Sequence, residues 1–379
     1  MPEYKLIATA AFGLEATVKR DLARIGVTDV RVADGRVNFT GGAETIARCN
    51  VALRSSDRLL LYVGEFYARS FDELFEGAKA LPWGDWITRD GRFDVTGKSV
   101  KSGLHSVPDV QSIVKKAVVE KLKQKYRTEW FDETGPEYKI QAAILNDLVT
   151  LTIDTTGASL HKRGYREQAV TAPLKETTAY ALIELSYWKR DRILLDPFCG
   201  SGTIPIEAAL AAKNIAPGLY RSFASESWPQ LPSGIFEDAR DEFRAAIDHS
   251  FEPEIYASDA DATAIETAVS NAAKAGVGGC IRFEQKLLSD VELPGKYGVA
   301  ITNPPYGERS GDMKSAERLY KEMGGVFGAD RTWSVYVLTA DEDFERFYGR
   351  RADAKRKLYN GAIKTDYFQY HGPRPPRKG

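Results

Sequence analysis

Residues 302–310 read TNPPYGERS. Asn303 offers an amide oxygen as an acceptor, Pro304 and Pro305 impose a kink with no N–H to donate, and Tyr306 adds a flat aromatic face. A carbonyl in such a kink cannot join a regular ladder and stays available as a second acceptor. Upstream, residues 194–210 read LLDPFCGSGTIPIEAAL: an apolar strand ends at Asp196, the chain turns through Gly200, Ser201 and Gly202, and a helix begins. The glycines let backbone N–H groups approach a ligand closely at that helix N-terminus. A nicotinamide cofactor fits poorly, because Pro205 stands where GxGxxG needs its last glycine and the next strand-end acid, Asp259 in ASDAD, comes far later. No GK[ST] follows, so a Walker loop is absent too. Asp196 in front of the loop would repel pyrophosphate but suits a ligand carrying ammonium and sulfonium charges, and S-adenosylmethionine has both. Asp259 is placed to accept from ribose hydroxyls. A helix N-cap is the plain structural alternative for Asp196.

These residues need elements to hold them. The 379 residues exceed one ordinary core and suggest two or three domains. Hydrophobic residues at 43% and charged residues at 28% are the balance of a soluble globular protein, and no apolar run reaches membrane-span length. The opening residues MPEYKLIATAAFG lack the features of a secretory signal. Cys49, Cys199 and Cys280 lie far apart and the four histidines are scattered, so neither a disulfide framework nor a structural metal is expected. A reducing cytoplasm fits best.

Residues 1–67 follow a βαββαβ order, with Asp34-Gly35 as a hairpin turn, and predict a ferredoxin-like unit. Residues 68–166 hold two helix patterns, a strand at RFDVTGKSV, and two strands parted by Asn146-Asp147. From residue 167 onward strands alternate with helices, which implies a parallel, doubly wound α/β sheet covered on both faces. The segment 214–250, rich in Pro, Ser and aromatics, reads as an insertion.

A net charge of −1 hides an uneven field. Between Lys98 and Arg127 there are eight Lys or Arg residues against Asp109 and Glu120, and HKRGYR at 161–166 adds more. Lys101, Lys115, Lys116, Lys162, Arg163 and Arg166 are therefore candidate nucleic-acid contacts, with a solvated helix face as the plain alternative for the lysines.

DPFCGSGTIPIEAA, ASDAD and TNPPYGER, in this order, resemble class I S-adenosylmethionine-dependent methyltransferases that modify amino groups. IDTTGASLHKRGYR followed by APLKET is similar, more narrowly, to the bacterial THUMP-containing guanine-N2 methyltransferases of large-subunit rRNA, a family often labelled N6-adenine DNA methylases. The resemblance covers nearly the whole chain. It implies a Rossmann-like methyltransferase domain at 167–379, preceded by the ferredoxin-like unit and a THUMP RNA-binding domain at 68–166. It also implies S-adenosylmethionine held by Asp196, Phe198, Gly200, Gly202, Thr203 and Asp259. In relatives an aspartate after the third strand contacts the adenine. Here Leu287 holds that place, and Asp290 is the nearest substitute.

On this view the purpose of Asn-Pro-Pro-Tyr is plain. The lone pair of an exocyclic base amine is delocalised into the ring, so the amine is a poor nucleophile. Acceptors on both its hydrogens, from the Asn303 side chain and a carbonyl near Pro304, favour the geometry that aims the lone pair at the methyl donor. Pro305 fixes the turn and Tyr306 stacks the base. The target nucleotide must be unpaired or flipped out, and Arg309 is a candidate for the phosphate beside it. Cys199 lies inside the cofactor loop and reads as a small buried residue rather than a nucleophile. The resulting expectation is guanine-N2 methylation of large-subunit rRNA, with no membrane or metal partner. DNA adenine-N6 and tRNA guanine-N2 methylation, a glutamine-modifying protein methyltransferase and a non-catalytic RNA scaffold are the alternatives.

Overall fold

Apolar–polar alternation in the first segment resolves into β1 (Tyr4–Thr9), α1 (Glu15–Arg24), β2 (Val30–Ala33), β3 (Arg36–Gly41), α2 (Ala43–Ala52) and β4 (Leu59–Tyr67). The computed structural model describes residues 2–166, 174–305, 313–361 and 363–376. Gly35 takes φ +71° in the β2–β3 turn, a left-handed conformation that glycine adopts without a Cβ clash. The strands lie in the order β2-β3-β1-β4, each neighbouring pair antiparallel, which is the ferredoxin-like arrangement.

The second segment supplies α3 (Phe71–Ala80), β5 (Arg92–Val100), α4 (Val107–Tyr126), β6 (Glu137–Leu145) and β7 (Leu148–Asp154). Ser70 and Glu73 form a reciprocal capping box at the start of α3. Asn146 and Asp147 both take positive φ, 50° and 64°, so the β6–β7 connection is a tight turn whose twist matches the strands. β7 then pairs with β4 as well as β6. The first two segments therefore share one seven-stranded sheet, β2-β3-β1-β4-β7-β6-β5, over a common core.

The remaining elements are α5 (Glu176–Leu185), β8 (Leu194–Asp196), α6 (Thr203–Ala212), α7 (Ile235–Ala245), β9 (Ile255–Asp259), α8 (Ala262–Lys274), β10 (Ile281–Gln285), β11 (Val299–Thr302), α9 (Met313–Gly328), β12 (Ser334–Thr339), α10 (Phe344–Tyr348), β13 (Ala354–Asn360) and β14 (Ile363–Tyr370). Their sheet runs β10-β9-β8-β11-β12-β14-β13. The first five strands are parallel, as the alternating pattern predicts. The sheet is not parallel throughout: β14 inserts antiparallel between β12 and β13. Successive residues alternate between two cores. Leu194, Ile301, Leu338 and Tyr367 pack beneath α5, α6 and α8, while Leu195, Ala300, Val337 and Phe368 pack with residues of α9 and α10. The chain direction across the sheet reverses between β8 and β11, and the crevice outside strand ends at such a point is where α/β sheets bind ligands.

The segment 214–250 is a strap between the two sheets. Trp228, Leu231, Ile235, Phe236 and Ala239 lie in the core of the first sheet, not over the cofactor loop. The Trp228 indole donates to the Glu137 carbonyl at 2.9 Å, and its ring stacks on Tyr138 at 5.0 Å. Gly218 must be glycine, because its N–H bonds the Val51 carbonyl at 2.8 Å and a Cβ there would meet the Val51 backbone at 2.7 Å. No helix among the described residues is long and apolar enough to cross a membrane.

Candidate active site

β8 ends at Asp196, whose side chain is buried. One carboxylate oxygen accepts from the Phe198 N–H at 3.2 Å and from the Thr302 hydroxyl at 2.7 Å. The N-cap of α6 is Gly202, so Asp196 does not cap the helix. Instead it joins the end of β8 to Thr302, the residue immediately before Asn303. Burial pushes its carboxyl up to about 7, and the Asp259 charge adds to that shift against the two hydrogen bonds.

The loop beyond is pinned to β9. Cys199 N–H donates to the Ser258 carbonyl at 3.0 Å, and Gly200 N–H donates to Asp259 Oδ2 at 2.9 Å. Gly200 and Gly202 both take left-handed φ, +51° and +82°. A Cβ on Gly202 would meet Ala268 at 3.0 Å, whereas one on Gly200 would point into open space. The first glycine thus fronts the crevice and the second lets α6 pack on α8. Asp259 also accepts from the Asp261 N–H at 3.1 Å, which leaves lone pairs of its carboxylate for a ligand. Two strand-end carboxylates, the amino end of a buried helix and an open glycine suit a ligand with positive charge and hydroxyl donors. Glu176 Oε2 and Ser258 Oγ, both buried without a hydrogen-bond partner among the described residues, add unused polar capacity in α5 and β9. S-adenosylmethionine fits this set. Phe198 is half-buried beside the core that carries α9 and α10, and Thr203 is buried at the first position of α6.

Asn303, Pro304 and Pro305 leave the end of β11, half-buried, buried and exposed respectively. Tyr306 and Arg309 lie outside the described residues. Leu287 is 59% exposed, and Asp290 sits on the same short turn with its N–H donating to the Leu287 carbonyl at 3.0 Å. Asp290 is exposed, and its carboxylate accepts from Ser289 at 3.2 Å.

The basic candidates separate into two groups. Lys101, Lys115, Lys116 and Lys162 are exposed. Arg163 is not an outward RNA contact: its side chain is 2% exposed, faces Glu207 at 3.4 Å and donates to the carbonyls of Leu160 and Arg54. Arg166 likewise turns inward, donating to the Thr203 hydroxyl and lying 3.6 Å from Glu176. Both arginines tie the end of the second segment to the catalytic unit, because a buried guanidinium needs a carboxylate and carbonyls around it. The sequence reading missed Glu207 and Thr302 as partners. A lone acid inside the apolar run IPIEAAL was the available signal for Glu207, since such a charge must find a buried partner. Nothing in the sequence singled out Thr302. Cys199 is buried, and burial followed by the Asp196 and Asp259 charges holds its thiol far above the ordinary range, which is contrary to a nucleophilic role. Among the described residues no group of three His, Cys, Asp or Glu side chains could hold a metal ion.

The sheet order, the glycine turn after β8 and the acids ending β8 and β9 define a class I S-adenosylmethionine-dependent methyltransferase. The family model described as the RMKL-like methyltransferase domain matches residues 163–369, and the chain belongs to that family. Models of the THUMP domain and of the RlmL ferredoxin-like domain match residues 68–154 and 5–60. A Bacillus subtilis protein named "Putative RNA methyltransferase YpsC" is 49% identical over 100% of this chain and 99% of its own length. The crystal structure of SMU.472, complexed with SAH, superposes with a TM-score of 0.94 at 45% identity, covering 99% of this chain and 100% of that one. The ribosomal RNA large subunit methyltransferase K/L of Syntrophotalea carbinolica is 33% identical over 97% of this chain, which spans 53% of that longer protein.

Proposed function

We propose that this methyltransferase acts on the exocyclic N2 of a guanine in large-subunit ribosomal RNA. The observation that carries the reading of the reaction is the Thr302–Asp196 hydrogen bond, which sets Asn303 at the strand end beside the cofactor loop. When bound, S-adenosylmethionine supplies a methyl group already activated by its positive sulfur. Asp196 supplies negative charge in the crevice, Gly200 leaves room for close backbone approach, and the spare lone pairs of Asp259 take the ribose hydroxyls. Asn303 accepts one hydrogen of the target amine and a carbonyl at Pro304 the other, so the amine is held with its lone pair aimed at the methyl donor. Tyr306 and Arg309 are assigned base stacking and a neighbouring phosphate, and Asp290 the adenine side. A strong general base is not required, because the amine becomes acidic as it is methylated. The assignment to RNA is supported by the THUMP match and by exposed Lys101, Lys115, Lys116 and Lys162, and the narrower choice of ribosomal RNA by the Syntrophotalea relative. Such RNA is met in the cytoplasm. Offering unmodified large-subunit rRNA, bulk tRNA and duplex DNA together, with labelled S-adenosylmethionine, tests the substrate class. Label is expected in rRNA, and label in DNA or tRNA in its place would overturn the choice.

Two further outcomes follow from the charges. Ionised Asp196 favours a cationic ligand, so affinity for S-adenosylmethionine is expected to fall as pH drops through about 7, approaching ten-fold per unit below it, and to level off above pH 8. Without ligand the linkage has the opposite sign. The folded carboxyl holds its proton above the ordinary value of 3.8, so that contribution to stability is present at low pH and lost as pH rises toward 7. Calorimetric titrations at pH 6, 7 and 8 check this; Asp196→Asn should flatten the profile, and a flat wild-type profile would contradict it. Second, Lys115→Glu with Lys116→Glu should weaken RNA binding and lower the salt slope by about 1 for each phosphate that the pair no longer neutralises. Lys123 is a poorer choice, being paired with Glu120 and Glu129. Unchanged affinity in filter binding would return these lysines to a merely solvated face.

A further inference from the structure

Two aromatic side chains meet at the seam between the first unit and the catalytic sheet. Phe12, in the loop after β1, is 53% exposed, and its ring meets Tyr359 of β13 edge to face at 6.0 Å and 82°. The Arg356 guanidinium fastens this loop to β13 by donating to the Gly13 carbonyl at 3.2 Å. The Lys357 ammonium lies 5.7 Å from the Tyr359 ring centre. Lys355 is paired with Asp366 and Lys364 with Glu342, whereas Arg356 and Lys357 have no ion pair among the described residues. Beside the rings is a cleft of about 190 Å³ whose lining includes Leu14, Asp57, Lys175 and Thr177. Asp57 does not present bare charge there, because Lys175 and Thr177 each donate to it at 2.7 Å.

The register places this seam relative to Asn303. Thr302 lies opposite Val337, so Asn303 continues opposite Leu338; Leu338 pairs with Tyr367, and Tyr367 with Arg356. Arg356 therefore stands level with Asn303, three strands or about 14 Å along the sheet. β13 runs parallel to β11, so Tyr359 lies about 10 Å further toward the carboxyl rim where the target base is handled.

We propose that Phe12 and Tyr359 form a stacking platform for an unpaired nucleotide next to the target, with Lys357, which shares the sheet face of Tyr359, set toward its phosphate. The exposed Phe12 ring beside half-buried Tyr359 can accept any base, the exposed Lys357 ammonium has no acid partner among the described residues and suits a phosphate, and both lie toward the rim that carries Asn303. The proposal rests on the reading of the substrate as RNA. It makes the ferredoxin-like unit and the catalytic sheet hold one strand together.

The test uses the full chain and total cellular RNA carrying 4-thiouridine, irradiated and mapped by mass spectrometry of crosslinked peptides. Crosslinks are expected in the peptides holding Phe12 and Tyr359, and Phe12→Ala with Tyr359→Ala should raise the KM for RNA by about 5- to 150-fold. Affinity for S-adenosylhomocysteine should not change, which controls for folding, and Tyr359→Trp should retain the low KM. Crosslinks confined to other peptides, or a wild-type KM in the double variant, would overturn the platform. So would an altered solution mass with unaltered RNA affinity, which would assign the rings to a contact between copies. Crosslinking needs no methyl transfer, so a product other than N2-methylguanosine would defeat the proposed reaction and leave this result readable.

Discussion

Asn303→Ala is expected to reduce methyl transfer by at least about 10²-fold, the scale set by loss of one aligned hydrogen-bonding group at a reacting centre. Asn303 follows Thr302, whose hydroxyl is fixed to buried Asp196, so the amide leaves the sheet at a defined height beside the cofactor loop. In the proposed role, removing the amide would take away one of two acceptors and let the amine turn its lone pair back into the ring. The residues proposed to hold the cofactor lie at the ends of β8 and β9, in the glycine loop and at the start of α6, apart from the Asn303 side chain, so affinity for S-adenosylmethionine should stay within a few-fold of wild type. Single-turnover transfer and calorimetry, measured on the same preparation, separate the two. A variant of normal rate would mean that Asn303 does not hold the amine. A variant that binds no cofactor would mean that its role is structural.

Arg163→Ala is expected to destabilise the protein by about 3–5 kcal/mol without a specific loss of RNA affinity. Arg163 and Glu207 are both buried, and the guanidinium is the cation facing a carboxylate set in α6, which is buried almost throughout. Among the described residues, truncation would leave Glu207 with the Tyr165 hydroxyl at 3.2 Å as its remaining hydrogen bond. Lysine should not rescue, since it cannot reproduce a planar fork that reaches Glu207, Leu160 and Arg54 together. Denaturant melts of wild type, Arg163→Ala, Arg163→Lys and Lys162→Ala would show the loss only at position 163. Full stability with weakened RNA binding would restore the outward role read from the basic run.

The contrast between Arg163 and Lys162 shows where the sequence was informative. HKRGYR reads as a basic patch because charge is counted along the chain, but the acid that neutralises Arg163 is 44 residues away. The glycine loop was legible because its backbone needs left-handed φ at two fixed places, which few residues but glycine supply. The ferredoxin-like order was legible from local periodicity and the Asp34-Gly35 turn. The pairing of β4 with β7 was not, since it joins two units that each look complete. β13 was missed for another reason. AKRKLYN carries three consecutive cations, a pattern that alternation rules reject, yet an edge strand leaves such side chains in solvent. Missing it hid the antiparallel end of the sheet, and with it the seam where Tyr359 meets Phe12. The 214–250 segment stood out by composition, but the surface its tryptophan and phenylalanines fill belongs to α2 and β6 and could not be read locally.

The measurement that tests the central claim most directly is the identity of the methylated nucleoside. Unmodified large-subunit rRNA would be incubated with the protein and S-adenosylmethionine, digested to nucleosides and resolved by mass spectrometry, with Asn303→Ala in parallel. The account predicts N2-methylguanosine at a single site with the wild type and none with the variant. N6-methyladenosine, a ring-methylated guanosine, or equal product from the Asn303→Ala protein would contradict it.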